Sequence, residues 1–279
     1  MQIIETKSKE INIKEYKSRF AVETDAKTII KDDTLIVENG KPIVLYKKID
    51  WCDTEMLRLA CQKVKYNVDT RLPKASAKGM MTRSAIFGYR PRIPLRQDFC
   101  SSTTMAYNTP KEHQIITEFA NNLSEIYKEY FPETYRLHEE KVNAVLPEWK
   151  IQGSVFTSGI INKNNPLQYH HDTGNFKGVL SNMVAFKNCV SGGRLVLPEY
   201  SIKLEIADNT VSIFDGQSIL HGVTPIIKTS KEAYRYTIVY YSLEQMWKCE
   251  TIKDEVKRIR KIKKEREMKR LQKNQSNGV

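Results

Sequence analysis

The chain has 279 residues, 40% of them hydrophobic and 28% charged, and a formal net charge of +12. That length suits one substantial core with extensions, or two small domains, and the balance is that of a soluble protein. No apolar run approaches the roughly 18 residues of a membrane span, and the first residues lack the apolar core and cleavage site of a secretory signal. The expected setting is therefore intracellular and cytoplasmic, without membrane contact. The cysteines (Cys52, Cys61, Cys100, Cys189 and Cys249) are odd in number and lack Cys-x-x-Cys spacing. They read as reduced thiols rather than as a disulfide framework or a zinc site.

The first 50 residues form a strand-rich extension. Residues 34–46 place Asn39-Gly40 between two β-rich runs, a strong hairpin signal, and should supply an edge or lid for the later core. Asp53 is placed to cap a helix carrying Met56, Leu59, Ala60 and Val64. Residues 67–109 are polar and loop-rich. They hold Arg83, Arg90, Arg92 and Arg96, which are either solvated or aimed at phosphate; the Gly88-Tyr-Arg-Pro-Arg92 grouping raises the second option. The apolar spacing of residues 111–131 predicts one helix, opened by Pro110 and closed by Pro132. A second helix is expected over 133–145.

After Trp149 the pattern changes to short strands, at 151–160, 179–187, 193–197, 201–206, 210–215, 218–224 and 234–242. Turn signals separate them and no helix-length segment interrupts, so a β-sandwich or barrel is expected. Residues 51–250 are taken as one mainly β domain with flanking helices. The tail, 251–279, carries eleven Lys and Arg against four acids, so that +7 of the +12 lies there. It reads as a charged helix or a disordered end, suited to a polyanion.

The chemistry concentrates in the β-region. His170 and Asp172 stand at i and i+2, so an extended backbone turns both to one side and His171 away. His221, in the apolar run 218–224, is the candidate third ligand from a distant strand. Two histidines and one carboxylate are the donor set of non-haem iron(II) sites with open coordination positions; zinc accepts the same set. Downstream, Arg235 and Thr237 share a strand face. A guanidinium pointing into a barrel needs a counter-charge, and its fork beside a hydroxyl matches a carboxylate. That carboxylate is either a side chain such as Glu205 or Asp215, or the far end of 2-oxoglutarate. The arginine after a metal histidine favours the oxygenase over zinc.

The run Gly192-Gly-Arg-Leu-Val-Leu-Pro-Glu199, Val211-Ser-Ile-Phe-Asp-Gly216, His221-Gly-Val-Thr-Pro225 and Arg235-x-Thr237 resembles the TET/JBP family of 2-oxoglutarate and iron(II) dioxygenases. The likeness covers about residues 82–242, with Phe87-Gly-x-x-Pro-Arg92 similar to the family's upstream segment. The short, lysine-rich form looks like the bacteriophage members. The resemblance implies a double-stranded β-helix (jelly-roll) core. It implies iron(II) on His170, Asp172 and His221, 2-oxoglutarate on Arg235 and Thr237, dioxygen as the other cosubstrate, and Asn175 at the substrate base. The cysteine-rich zinc region of animal members is absent. DNA would then be gripped by the Arg83–Arg96 stretch, Arg90 and Arg92 above all, and by the basic tail.

The implied activity is hydroxylation of the methyl group of a 5-methylpyrimidine in DNA, with 5-methylcytosine favoured and thymine open. A methyl inside a duplex lies away from a buried iron, so the base should be flipped out, its edge read by the Asn175 amide. Two rivals stand beside it. One is an oxygenase of the same superfamily acting on a protein side chain, RNA or an alkylated base. The other is a non-catalytic nucleic-acid-binding β-barrel.

Overall fold

A computed structural model describes residues 1–17, 19–69, 82–93 and 97–276. The strands, in chain order, are β1 (Gln2–Glu5), β2 (Thr28–Ile30), β3 (Thr34–Glu38), β4 (Lys41–Lys48), β5 (Asn67–Asp69), β6 (Thr82–Arg90), β7 (Ser101–Ser102) and β8 (Ser158–Lys163). They continue with β9 (Ser181–Asn188), β10 (Val190–Gly192), β11 (Leu195–Leu197), β12 (Ile202–Leu204), β13 (Thr210–Phe214), β14 (Gly222–Val223), β15 (Ile226–Lys228) and β16 (Tyr234–Tyr241). The larger sheet runs β1-β3-β4-β13-β9-β16-β8-β6-β5, with β7 added on β6; the smaller runs β14-β11-β12-β2, and β10 pairs with β15.

Alternation along the strands builds two apolar layers. Val211 and Ile213 of β13, and Tyr236, Ile238 and Tyr240 of β16, belong to the layer between the large sheet and the helices. Phe214 of β13 packs on the other face, with Leu195, Leu197, Ile202 and Leu204 of the small sheet. The helices are α1 (Ile13–Tyr16), α2 (Glu55–Lys63), α3 (Thr104–Asn108), α4 (Pro110–Glu118), α5 (Ala120–Tyr130), α6 (Pro132–Asn143) and α7 (Ile252–Ser276). Leu57 of α2, Ile116 of α4, Tyr127 of α5 and Val142 of α6 back the large sheet. This mainly β architecture with flanking helices is the expected one.

The first 50 residues supply an edge of each sheet, β1-β3-β4 for the larger and β2 for the smaller. β4 pairs with β13 of the large sheet, and β2 pairs with β12 of the small one. The predicted hairpin joins β3 to β4. Asn39 (φ 52°) and Gly40 (φ 72°) both take left-handed backbone, as a two-residue hairpin turn demands.

Other expectations shift. The stripe of α2 is Leu57, Ala60, Cys61 and Val64; Met56 is exposed. The single helix expected over 111–131 is α4 and α5, which meet at Phe119. Pro132 opens α6 as well as ending α5. The stretch 67–109, read as loop, contains the nine-residue strand β6 pairing with β8, so the arginines at 83 and 90 stand on a sheet. Arg96 lies outside the described residues. The strand expected over 151–160 starts only at Ser158, after a tight turn. The reading of all cysteines as thiols is overturned at one pair: Cys100 and Cys249 form a disulfide, closed by tertiary contacts between segments 149 positions apart. The tail is a helix, α7, of 25 residues. Among the described residues no helix is long and apolar enough to cross a membrane.

Candidate metal centre and cosubstrate cavity

His170 and His221 are brought together by an isolated antiparallel bridge. Each backbone N–H donates to the other's carbonyl, at 2.9 and 3.1 Å. Both rings are then held by one kind of contact. Nδ1 of His170 lies 2.8 Å from the Gln168 carbonyl, and Nδ1 of His221 lies 2.9 Å from the Ile219 carbonyl. A carbonyl only accepts, so each Nδ1 carries the hydrogen and each Nε2 presents its lone pair.

Asp172 completes the group. Its backbone N–H donates to the Gly216 carbonyl at 2.8 Å. Its Oδ1 stands 3.7 Å from His170 Nε2 and 3.9 Å from His221 Nε2. One ligand atom from each of the three residues falls within 4.8 Å of the others. Burial, reinforced by the charge of His170, pushes the His221 imidazole down to about 4, which keeps it in its neutral, ligating form. Two imidazoles and one carboxylate, all facing one point, fit a divalent iron.

The second feature is Arg235, only 2% exposed on β16. Its Nε is buried without a hydrogen-bond partner. Among the described residues no carboxylate pairs with it. Glu205 is engaged by Arg194 (2.7 Å) and Lys187 (3.4 Å), and Asp215 accepts from the Ser218 hydroxyl at 2.7 Å. Neither of the two expected intramolecular partners is therefore the counter-charge. Burial lowers the guanidinium to about 10. A desolvated cation with an unused donor suits an anionic ligand, and 2-oxoglutarate brings a carboxylate.

The triad, Arg235 and Thr237 line one cavity of about 410 Å³, a size ordinary for a small-ligand site. Val239 and Tyr241 continue the Arg235 face along β16, and Leu195, Phe214 and Val223 supply apolar wall. Asn175 lies in the same wall, buried, its amide donating to Ser181 Oγ at 3.3 Å. His171 also lines the cavity, although it stands outside the ligand group.

Arg90 and Arg92 are not brought to this wall. Arg90 sits at the end of β6, opposite Ser101. Arg92 is occupied by Glu250 (2.7 Å) and by the buried Glu255 (2.5 Å). The structure gives Arg92 a role in docking the C-terminal helix.

Sequence reasoning missed several residues. A Cβ at Gly216 would lie 2.3 Å from Asp172 Oδ2, so only glycine lets this turn pass behind the metal group. A Cβ at Gly193 (φ +70°) would meet the Arg235 side chain at 2.9 Å. In sequence both look like ordinary turn glycines. Ser84, Asn162 and Asn165 form a polar patch in the cavity wall. Asn162 Oδ1 accepts from Ser84 Oγ at 3.1 Å and from Asn165 Nδ2 at 3.2 Å, and Asn162 pairs with Thr237 across β8 and β16. No signal short of that register would have found them.

Comparisons with known proteins agree with this geometry. Residues 91–244 match the Tet_JBP model, described as the oxygenase domain of the 2OGFeDO superfamily. The chain is 25% identical over 205 residues to the thymine dioxygenase JBP1 of Trypanosoma brucei brucei, covering 71% of this chain and 23% of that protein. It is also 25% identical over 231 residues to the bifunctional helicase and thymine dioxygenase JBP2 of the same organism, covering 80% and 21%. The chain thus spans about a quarter of the length of these curated relatives. Among solved structures, NgTET1 in complex with 5mC DNA aligns with a TM-score of 0.57 at 15% identity, covering 84% of this chain and 90% of that one. That likeness extends the double-stranded β-helix core to this fold. The chain belongs to the Tet_JBP family, the oxygenase domain of the 2-oxoglutarate- and iron(II)-dependent dioxygenases.

Proposed function

We propose that this protein hydroxylates the methyl group of a 5-methylpyrimidine in DNA, with 5-methylcytosine favoured over thymine. The observation that carries the chemistry is Arg235, a buried guanidinium without a protein carboxylate, in the same cavity as the His170, Asp172 and His221 group. The family brings iron(II), 2-oxoglutarate and dioxygen. In this reading His170, Asp172 and His221 hold the iron, and Arg235 with Thr237 holds the far carboxylate of 2-oxoglutarate. When bound, iron and 2-oxoglutarate supply dioxygen activation coupled to oxidative decarboxylation of the keto acid.

The chain's own residues do the rest. Carbonyls of Gln168 and Ile219 fix both imidazole tautomers, so the ligand nitrogens are ready before metal arrives. Arg235 would hold the far carboxylate of the cosubstrate through its buried guanidinium. Leu195, Phe214 and Val223 keep water from the reacting face. Asn175, its amide steadied by Ser181, reads the edge of a base turned out of the stack. The relatives are thymine dioxygenases and the solved neighbour is bound to 5mC DNA, so both bases are taken into the test.

The test is incubation with iron(II), 2-oxoglutarate, oxygen and duplexes carrying either 5-methylcytosine or thymine alone. Succinate and the hydroxymethyl nucleosides are quantified by mass spectrometry. One hydroxymethyl product per succinate on the 5-methylcytosine duplex is expected. Succinate release without a modified base, or turnover only on protein or RNA, would sink the substrate assignment.

A further inference from the structure

The C-terminal helix α7 begins as part of the fold and ends as something else. Its first two turns are docked. Glu255, 1% exposed, accepts from Arg92 and from the Cys100 backbone at 2.9 Å. Arg258 reaches Asp98 at 2.7 Å, and the Ile252 N–H donates to Glu148 at 3.2 Å. The Cys100–Cys249 disulfide closes beside this root. From Lys263 to Gln272 every residue is exposed. Met268 and Leu271 are 50% and 56% exposed, so the apolar side chains of this outer part cover nothing.

What projects is strongly cationic. Residues 260–272 carry seven Lys and Arg against two acids. A helix kept in water by its own ion pairs would balance the signs at i, i+3 and i+4; here Glu265 and Glu267 are shared among five cations, and the stretch keeps a net charge of +5. Successive cations lie around the whole helix rather than along one face, which disfavours a flat docking surface on a folded protein and suits a surrounding polyanion.

The root is also close to the cavity in chain terms. Leu243 lines the cavity wall, and a short 3-10 helix, Glu244–Lys248, leads from it to the start of α7. At about 2 Å per residue in such a helix and about 3.5 Å in the few extended residues beyond it, the root lies within roughly 25 Å of that wall. The free part, at about 1.5 Å per residue, adds roughly 20 Å. This is the length scale of one to two turns of duplex, each about 34 Å.

We infer that α7 is a cationic arm that grips the phosphate backbone of double-stranded DNA away from the base being oxidised. The inference rests on DNA being the substrate, as proposed above, and assigns to this helix a grip on the duplex outside the cavity. It touches phosphates and no base edge, so it adds affinity without sequence preference.

The test uses the full chain with Lys263, Lys264, Lys269 and Arg270 changed together to Gln, and a second variant with the same four changed to Glu. All four are exposed, so neither change removes a packing contact. Binding is read by fluorescence anisotropy on an unmethylated duplex of about three helical turns. This assay needs no turnover, so it stays readable if the substrate assignment fails. The Gln variant should bind at least about ten-fold more weakly, the Glu variant more weakly still, and the slope of log K against log salt should shrink by about two or more. On a methylated duplex of that length KM should rise in the same order. On a methylated oligonucleotide of a few nucleotides, too short to reach the arm, the KM ratio should stay near one. Equal affinity and equal salt slope in all three proteins would overturn the inference. So would loss of binding to vesicles containing phosphatidylserine with duplex binding intact, which would assign the arm to a membrane surface. Absence of hydroxymethyl product from the unaltered protein, with duplex affinity still falling in the variants, would count against the substrate alone.

Discussion

His170 and His221 face each other across a two-way backbone bridge, with ring centroids 4.2 Å apart and both Nδ1 atoms tied to the carbonyl two residues earlier in the chain. This repeated local device turns two unremarkable histidines into a matched pair of nitrogen donors. It also leaves little room for error in the turn behind Asp172.

Gly216→Ala is expected to keep the fold and lose the metal. The new methyl would sit 2.3 Å from Asp172 Oδ2, so the carboxylate must move out of line with the two imidazoles. Loss of a well-placed ligand should weaken iron(II) binding at least about ten-fold, by analogy with disturbed outer contacts at metal sites. Titration with iron(II) or cobalt(II) under argon, alongside far-UV circular dichroism, separates the two effects. An alanine variant that binds metal as tightly as the unaltered chain would show that the turn has slack.

Arg235→Met should act with opposite signs on the apo protein and on the complex. The apo protein carries a buried, uncompensated cation, so an apolar replacement of similar length should leave stability unchanged or raise it by about 1–2 kcal/mol. The rise in Tm that 2-oxoglutarate produces through binding linkage should vanish, and KM for 2-oxoglutarate should rise about a hundred-fold or more, the worth of a charge-assisted pair of about 3 kcal/mol. Calorimetry with and without 2-oxoglutarate checks both. A large destabilisation of the apo variant would mean that Arg235 has a structural partner after all.

His138 should make the protein acid-sensitive well above the carboxylate range. It is fully buried among Tyr127, Phe156 and Phe176. Its Nε2 is 2.9 Å from Ser242 Oγ, whose own hydrogen goes to the Val155 carbonyl at 2.7 Å, so Nε2 must be the donor and Nδ1 is left bare. Burial holds this imidazole down to about 3. The unfolded chain takes up a proton near 6.5 that the folded chain refuses. Stability is therefore whole above about pH 6.5 and falls as pH drops toward 3, by at most about 1.4 kcal/mol per unit from this group. His138→Gln should flatten that part of a urea-melt series between pH 4 and 6.5. An unchanged slope would place the acid sensitivity elsewhere.

Arg92→Ala should cost stability rather than binding at the cavity. It would strip Glu255 of its cation at a position 1% exposed, a loss on the order of 3 kcal/mol. Chemical denaturation should show a lower midpoint, and limited proteolysis should cleave near residue 250 sooner. KM for 2-oxoglutarate should hold at its original value; a rise there would tie this ion pair to the cavity.

Much of this molecule could be read in one dimension, because the signals were local. The Asn39-Gly40 turn, the proline-bounded helices and the i, i+2 parity of His170 with Asp172 and of Arg235 with Thr237 depend only on neighbours along the chain. The order of those residues was also enough to name the family. What the chain order could not supply was register and proximity between distant segments. In the α2 stripe Ala60 and Val64 are covered as expected, but Leu57 takes the place of Met56 because both are apolar and only the packing beneath decides which is buried. The partner of Arg92 is Glu255, 163 positions away, and Cys100 looked like a thiol until Cys249 met it. Gly216 looked like a turn until Asp172 was packed on its Cα. Local backbone preference and side-chain chemistry are properties of the sequence itself. Which charge is neutralised, which thiol is oxidised and which glycine is indispensable depend on what tertiary packing brings within a few ångströms, and that was decided by the fold.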